Sequence, residues 1–93
     1  MWDLIKVVIP KIKAEWKYFA YSLEYEIAAV KAIERDSRDS QHCCENLFED
    51  WLSTEHGAAP KIWSTLLQKI KEVDSLYAAA DDIQKELTSR KLI

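Results

Sequence analysis

A single glycine, Gly57, and two prolines, Pro10 and Pro60, punctuate a chain of 93 residues. A turn-rich β-sandwich or a collagen-like repeat needs far more of both, because tight turns draw on Gly for positive φ and on Pro for a fixed one. Apolar residues make up 48% of the chain, which argues equally against disorder. The expected fold is all-α. A chain this short supports one hydrophobic core, so residues 1–93 are read as one domain.

The apolar positions recur at helical spacing. Leu4, Ile5, Val8, Ile9 and Ile12 predict a first helix over Trp2–Ile12. Pro10 lacks a backbone donor and disfavours α geometry at Ile9, so the helix is expected to kink or restart there. Trp16, Phe19, Ala20 and Leu23 form a second core face at i, i+3, i+4 and i+7, which turns Lys17, Tyr18 and Tyr21 outward. Ile27, Val30 and Ile33 predict a short third helix from about Glu26 to Arg35. The polar run 35–40 then reads as a linker whose Ser and Asp residues can cap the next helix.

The fourth helix has the most regular stripe, with Cys44, Leu47, Phe48, Trp51 and Leu52 inside. Gly57 is expected to end it and Pro60 to open the fifth. That fifth helix buries Ile62, Trp63, Leu66, Leu67, Ile70 and Val73. Asp74 or Ser75 can cap a sixth, in which Leu76, Tyr77, Ala80, Ile83 and Leu87 face inward. Six short helices joined by short linkers predict a compact antiparallel bundle.

Thirteen basic residues against sixteen acidic leave a net charge of −3, which disfavours sequence-independent binding to nucleic acid. No predicted helix gathers the Arg, Asn and Gln side chains that read base edges either. The charge is unevenly spread: residues 1–23 balance to +2, residues 24–56 to −6 and residues 57–93 to +1. A basic end and an acidic middle suit a domain that joins copies or relatives through complementary patches. The longest early apolar stretch, Val7–Ile9, is hemmed in by Lys6 and Lys11, so no membrane span is expected. The only cysteines, Cys43 and Cys44, are adjacent, a usage that fits a reducing, cytoplasmic setting.

Catalytic motifs are missing from the sequence. His42-Cys43-Cys44 places three metal-ligating types in a row, but consecutive helical residues point about 100° apart and do not share one tetrahedral ion readily. There is no C-x-x-C, no glycine-rich phosphate loop and no G-x-S-x-G elbow, and His42 and His56 are the only imidazoles. Glu49-Asp50 and Asp81-Asp82 fall on predicted solvent faces, where nothing raises a carboxyl pKa. The expectation is a non-enzymatic domain with no cofactor, no metal and no small-molecule substrate.

Three runs resemble the death domain, a six-helix interaction module of apoptotic and innate-immune signalling. Trp16-Lys17-Tyr18-Phe19-Ala20-Tyr21-Ser22-Leu23 is similar to its W-x-x-L-A-x-x-L signature, with Phe19 in the Leu position. Leu47, Phe48, Trp51 and Leu52 resemble its L-L-x-x-W pattern, and Trp63-Ser64-Thr65-Leu66-Leu67 followed by Ile70 is similar to its fifth helix. The wording of the fourth and fifth helices leans towards the ankyrin-repeat and netrin-receptor types. The chain departs from the family after the second helix, where Ser22-Leu23-Glu24-Tyr25-Glu26 holds no Gly, and before the sixth, where a Gly-Arg type turn is replaced by Glu72-Val73-Asp74-Ser75.

The resemblance implies a cytoplasmic adaptor-like module, cut from a larger protein, whose function is homotypic assembly with itself or another death domain. It places the contact residues at Tyr21, Lys31, Arg35, Asp36, Arg38 and Asp39 around the second and third helices. On and after the fourth helix it places Glu45, Glu49, Glu55 and His56. The alternative expectation is a generic helical module that binds an unrelated peptide, or another domain of its own parent chain.

Overall fold

A computed structural model describes residues 2–55 and 57–91. Every regular element among them is helical. In chain order they are α1 (Trp2–Ile12), a 3-10 turn (Lys13–Glu15), α2 (Trp16–Ser22), α3 (Ile27–Arg35), α4 (Ser40–Ser53), α5 (Trp63–Lys71), a second 3-10 turn (Asp74–Leu76) and α6 (Tyr77–Ser89). The Cα radius of gyration, 12.2 Å, is close to the roughly 12 Å of a compact chain of this length.

The first expected break does not occur where Pro10 suggested. Pro10 lies inside α1, in its last turn, with its ring exposed. An exposed position leaves the carbonyl that Pro10 cannot satisfy open to water, which lowers the penalty of an interior proline. The helix ends later, at Ile12, and the chain tightens to 3-10 pitch at Lys13–Glu15 with no loop residue between α1 and α2. Leu4, Ile5, Val8, Ile9 and Ile12 are all buried, as their spacing requires.

The corner after α2 solves the missing-glycine problem with a glutamate. Glu24 takes φ +68°, its N–H donates to the Tyr21 carbonyl at 2.9 Å, and the Tyr25 N–H donates to the Ala20 carbonyl at 3.1 Å. These two bonds are the Schellman pattern, which satisfies the orphan carbonyls of the helix end and normally selects Gly at the left-handed residue. Tyr25, the residue that follows, is carried inward and buried.

Gly57 does not end α4. That helix stops at Ser53, with Thr54 extended at its C-cap, and Gly57 stands three residues beyond at φ +79°. A Cβ there would meet Tyr25 Cε1 at 2.8 Å, the Leu23 carbonyl oxygen at 2.9 Å and Trp51 Cδ1 at 3.0 Å. The glycine is needed because three neighbours close on the backbone. Around it, the Ala58 N–H donates to the Leu23 carbonyl at 2.8 Å, and Trp51 Nε1–H donates to the Ala58 carbonyl at 2.9 Å. The α4–α5 connection is thereby pinned to the α2–α3 corner. Pro60 likewise precedes α5 by three residues instead of opening it.

The core is one contiguous cluster drawn from every helix. α1 packs on α4 and α6, α2 on α3, α4 and α5, and α5 on α6. Trp51, Phe19 and Phe48 are its largest fully buried side chains, and the two phenyl rings meet tilted, with centroids 5.6 Å apart. No polar or charged side chain is buried among the described residues.

Most of the expected core is inside, and five positions are corrected. Ile27 is 62% exposed and Ile62 49%, because each stands at the first turn or N-cap of its helix, before the chain has reached the bundle. Tyr77 is 69% exposed: the 3-10 turn at Asp74–Leu76 shifts the helical phase, so Leu76 is buried and the next residue turns out. Ile33 and Leu52 pack on the core while remaining partly exposed. The same 3-10 turn replaces the side-chain cap expected from Asp74 or Ser75.

Candidate interaction surface

With an apolar interior, the residues able to recognise a partner lie outside. The linker 36–39 delivers Asp39 to the N-cap of α4, where its Oδ1 accepts the His42 backbone N–H at 2.8 Å. The His42 ring folds back on the same carboxylate, with Nδ1 2.7 Å from Asp39 Oδ1, while Arg38 Nη2 approaches Nε2 at 2.9 Å. Arg can only donate, so in the tautomer that accepts Arg38 at Nε2 the Nδ1–H donates to Asp39. The His42 N–H and ring together hold the Asp39 carboxyl below its ordinary range. Asp39 is therefore engaged in capping α4, and Arg38 is exposed beside it.

The other expected contact residues divide among separate surfaces. Lys31 is exposed on α3, and Arg35 and Asp36 form a loose pair at 3.5 Å at its end. Glu45 and Glu49 line a groove between α1 and α4 together with Lys6, Ile9 and Pro10. Glu55 is exposed beyond α4, and His56 lies outside the described residues. Tyr21 is 41% exposed and stands apart from all of these, across α2.

Tyr21 belongs to a groove that the sequence reading did not assemble. Glu15, Tyr18 and Tyr21 form one wall, and residues 72–75, with Glu72 and Asp74, form the other. The signal for one wall was present, since Tyr18 and Tyr21 were turned outward by the phase of α2. The second wall lies some 50 positions away, and only the packing of α2 on α5 brings it alongside.

A further constellation sits at the pinned corner. Lys61 Nζ lies 4.7 Å from the Trp51 ring centroid, and burial pushes its pKa down despite the nearby Asp50 carboxylate. Tyr25 donates its phenol hydrogen to Asp50 Oδ2 at 2.5 Å, and burial followed by that bond holds the phenol well above its ordinary range. Lys17 pairs with Glu34, tying α2 to α3 across an exposed face.

Both cysteines are buried, and burial pushes the Cys44 thiol up to about 12. No group of three or more His, Cys, Asp and Glu side chains among the described residues is arranged to hold a metal ion. No described helix is long and apolar enough to cross a membrane. No family model matches the chain, and no curated protein or solved structure matches it either.

Proposed function

We propose that this chain is a non-enzymatic protein–protein interaction module that assembles with copies of itself or with like domains, in the manner of a death domain in intracellular signalling. The observation that carries the reading is the distribution of charge on an apolar bundle. Lys6 and Lys11 are exposed on α1, Arg35 and Arg38 flank the end of α3, and Glu49 is exposed on α4 with Glu45 half-buried beside it, so charges of both signs reach the surface on different elements. Opposed patches on one rigid body favour assembly by steering and register more than by area.

A six-helix, death-fold-like arrangement is part of the proposal. Its support is the order of the three sequence runs, together with the packing of α1 on both α4 and α6 and of α2 on α5. The left-handed Glu24 also supplies the corner for which that family uses Gly.

Light scattering coupled to size exclusion tests the reading. The mass should rise with concentration at low salt and fall back to the monomer at high salt, because exposed charge pairs are screened over about 8 to 10 Å at physiological ionic strength. Arg35→Glu with Arg38→Glu should weaken the assembly without changing the helical circular dichroism. A chain that stays monomeric at every concentration and salt, alone and with like domains, would end the proposal.

A further inference from the structure

Beyond the self-assembly reading, we infer that the groove between α2 and residues 72–75 is a binding site for a short arginine-bearing peptide segment of another protein.

The groove carries the two kinds of group that hold a guanidinium. Tyr18, 63% exposed, and Tyr21, 41% exposed, stand on one wall with Glu15, and Glu72, Asp74 and Ser75 line the other. A guanidinium lies flat on an aromatic ring and directs its N–H fork at a carboxylate, whereas an ammonium is a strongly hydrated point charge. Glu72 is shared with Lys69 at 3.5 Å, but Glu15 and Asp74 are in no ion pair among the described residues. Lys17, which sits between Glu15 and Tyr18 in sequence, pairs with Glu34 on α3 and does not line the groove. Negative charge without a counter-charge thus stands beside aromatic surface open to solvent. The volume, about 690 Å³, falls within the roughly 300 to 1,000 Å³ of ligand clefts and suits a few side chains of a linear segment.

The chemistry points away from a second copy as the occupant. This chain has three arginines, and each already meets a partner in its own fold: Arg35 beside Asp36, Arg38 against His42 and Arg90 on Glu86. A free guanidinium has to come from another protein. Arg and Tyr are also the side chains that most often anchor an interface, because each offers large contact area together with a directed polar group.

Fluorescence anisotropy of a labelled, amidated hexa-arginine peptide tests this. The unaltered chain should bind it saturably, and hexa-lysine of equal charge at least about threefold more weakly, because only the guanidinium both stacks and forks. Glu15→Gln/Asp74→Asn and Tyr18→Ser/Tyr21→Ser should each weaken Kd by at least about fivefold, the first by removing charge and the second with charge unchanged. Asp81→Asn/Asp82→Asn, of the same charge change as the first pair but on α6, should bind as the unaltered chain. Circular dichroism and a melting curve confirm that every variant is folded. Binding that survives both groove variants would put the peptide elsewhere, on the acid-rich stretch 24–56, and overturn the site. Equal loss in the α6 variant, equal affinity for hexa-lysine, or no binding at all would overturn it as well. The readout is peptide capture and not mass, so each of these failures leaves the self-assembly reading standing.

Discussion

Tyr25 and Asp50 are joined by a 2.5 Å hydrogen bond that links the corner after α2 to the last turn of α4, 25 residues away. The bond closes a small circuit. Tyr25 is placed by the Schellman turn at Glu24, its ring rests against Gly57, and the loop holding Gly57 is fastened by Ala58 to Leu23 and Trp51. Two connections with no regular structure of their own, 23–26 and 54–62, are thus tied to one another and to the end of α4.

Tyr25→Phe should therefore lower stability by about 1 to 3 kcal/mol, the range for a hydrogen bond to a charged acceptor left unmade. Urea unfolding followed by circular dichroism measures it. The raised phenol pKa adds a pH signature. A group whose folded pKa lies above its unfolded value stabilises fully below the unfolded pKa, about 10 for Tyr, and loses that contribution as pH rises further. Stability should fall above about pH 10 more steeply in the unaltered chain than in Tyr25→Phe. Parallel alkaline profiles would show that the bond contributes nothing.

The left-handed residues Glu24 and Gly57 should respond in opposite directions. Gly57→Ala meets both a positive φ and three atoms at 2.8 to 3.0 Å, so a loss of more than about 1 kcal/mol is expected. Glu24→Gly relieves a left-handed penalty of about 1 to 2 kcal/mol, offset in part by glycine's greater freedom when unfolded, for a net gain of up to about 1 kcal/mol. Chemical denaturation of the pair decides the matter. A stabilised Gly57→Ala variant would mean that the loop does not approach Tyr25 and Leu23 as described.

The thiols should be silent in the folded chain. Both cysteines are buried and the Cys44 thiol is pushed up to about 12, so Ellman's reagent should label neither at neutral pH until denaturant opens the core. Cys44→Ala should cost about 1 kcal/mol of packing and leave self-association unchanged. Rapid labelling of the native protein, or loss of assembly in that variant, would point to a redox role instead.

Much of the architecture is legible in the sequence because helical periodicity is a local property. The stripe Cys44, Leu47, Phe48, Trp51 lies wholly within one helix, so its phase follows from spacing alone, and all four are buried. Local reasoning fails where the pitch changes. The 3-10 turn before α6 turns Tyr77 to solvent, and α1 runs through Pro10, without restarting, to a 3-10 turn at Lys13–Glu15. It fails again at helix entries, where Ile27 and Ile62 carry apolar side chains in the right phase but stand ahead of the bundle.

The candidate surface shows the same division. Tyr18 and Tyr21 face outward by the phase of α2, and Asp39 caps α4 as a residue of its type before a helix should. The sequence by itself determined that this chain is helical, which faces are apolar and where each charge lies along the chain, because these depend on neighbours within about two turns. Only the tertiary structure decided that Gly57 serves the Tyr25 corner and that Glu72 and Asp74 stand across from Tyr18 and Tyr21. Those relationships join residues tens of positions apart, and what sets them is the packing of whole helices to exclude water from one core, not any local pattern.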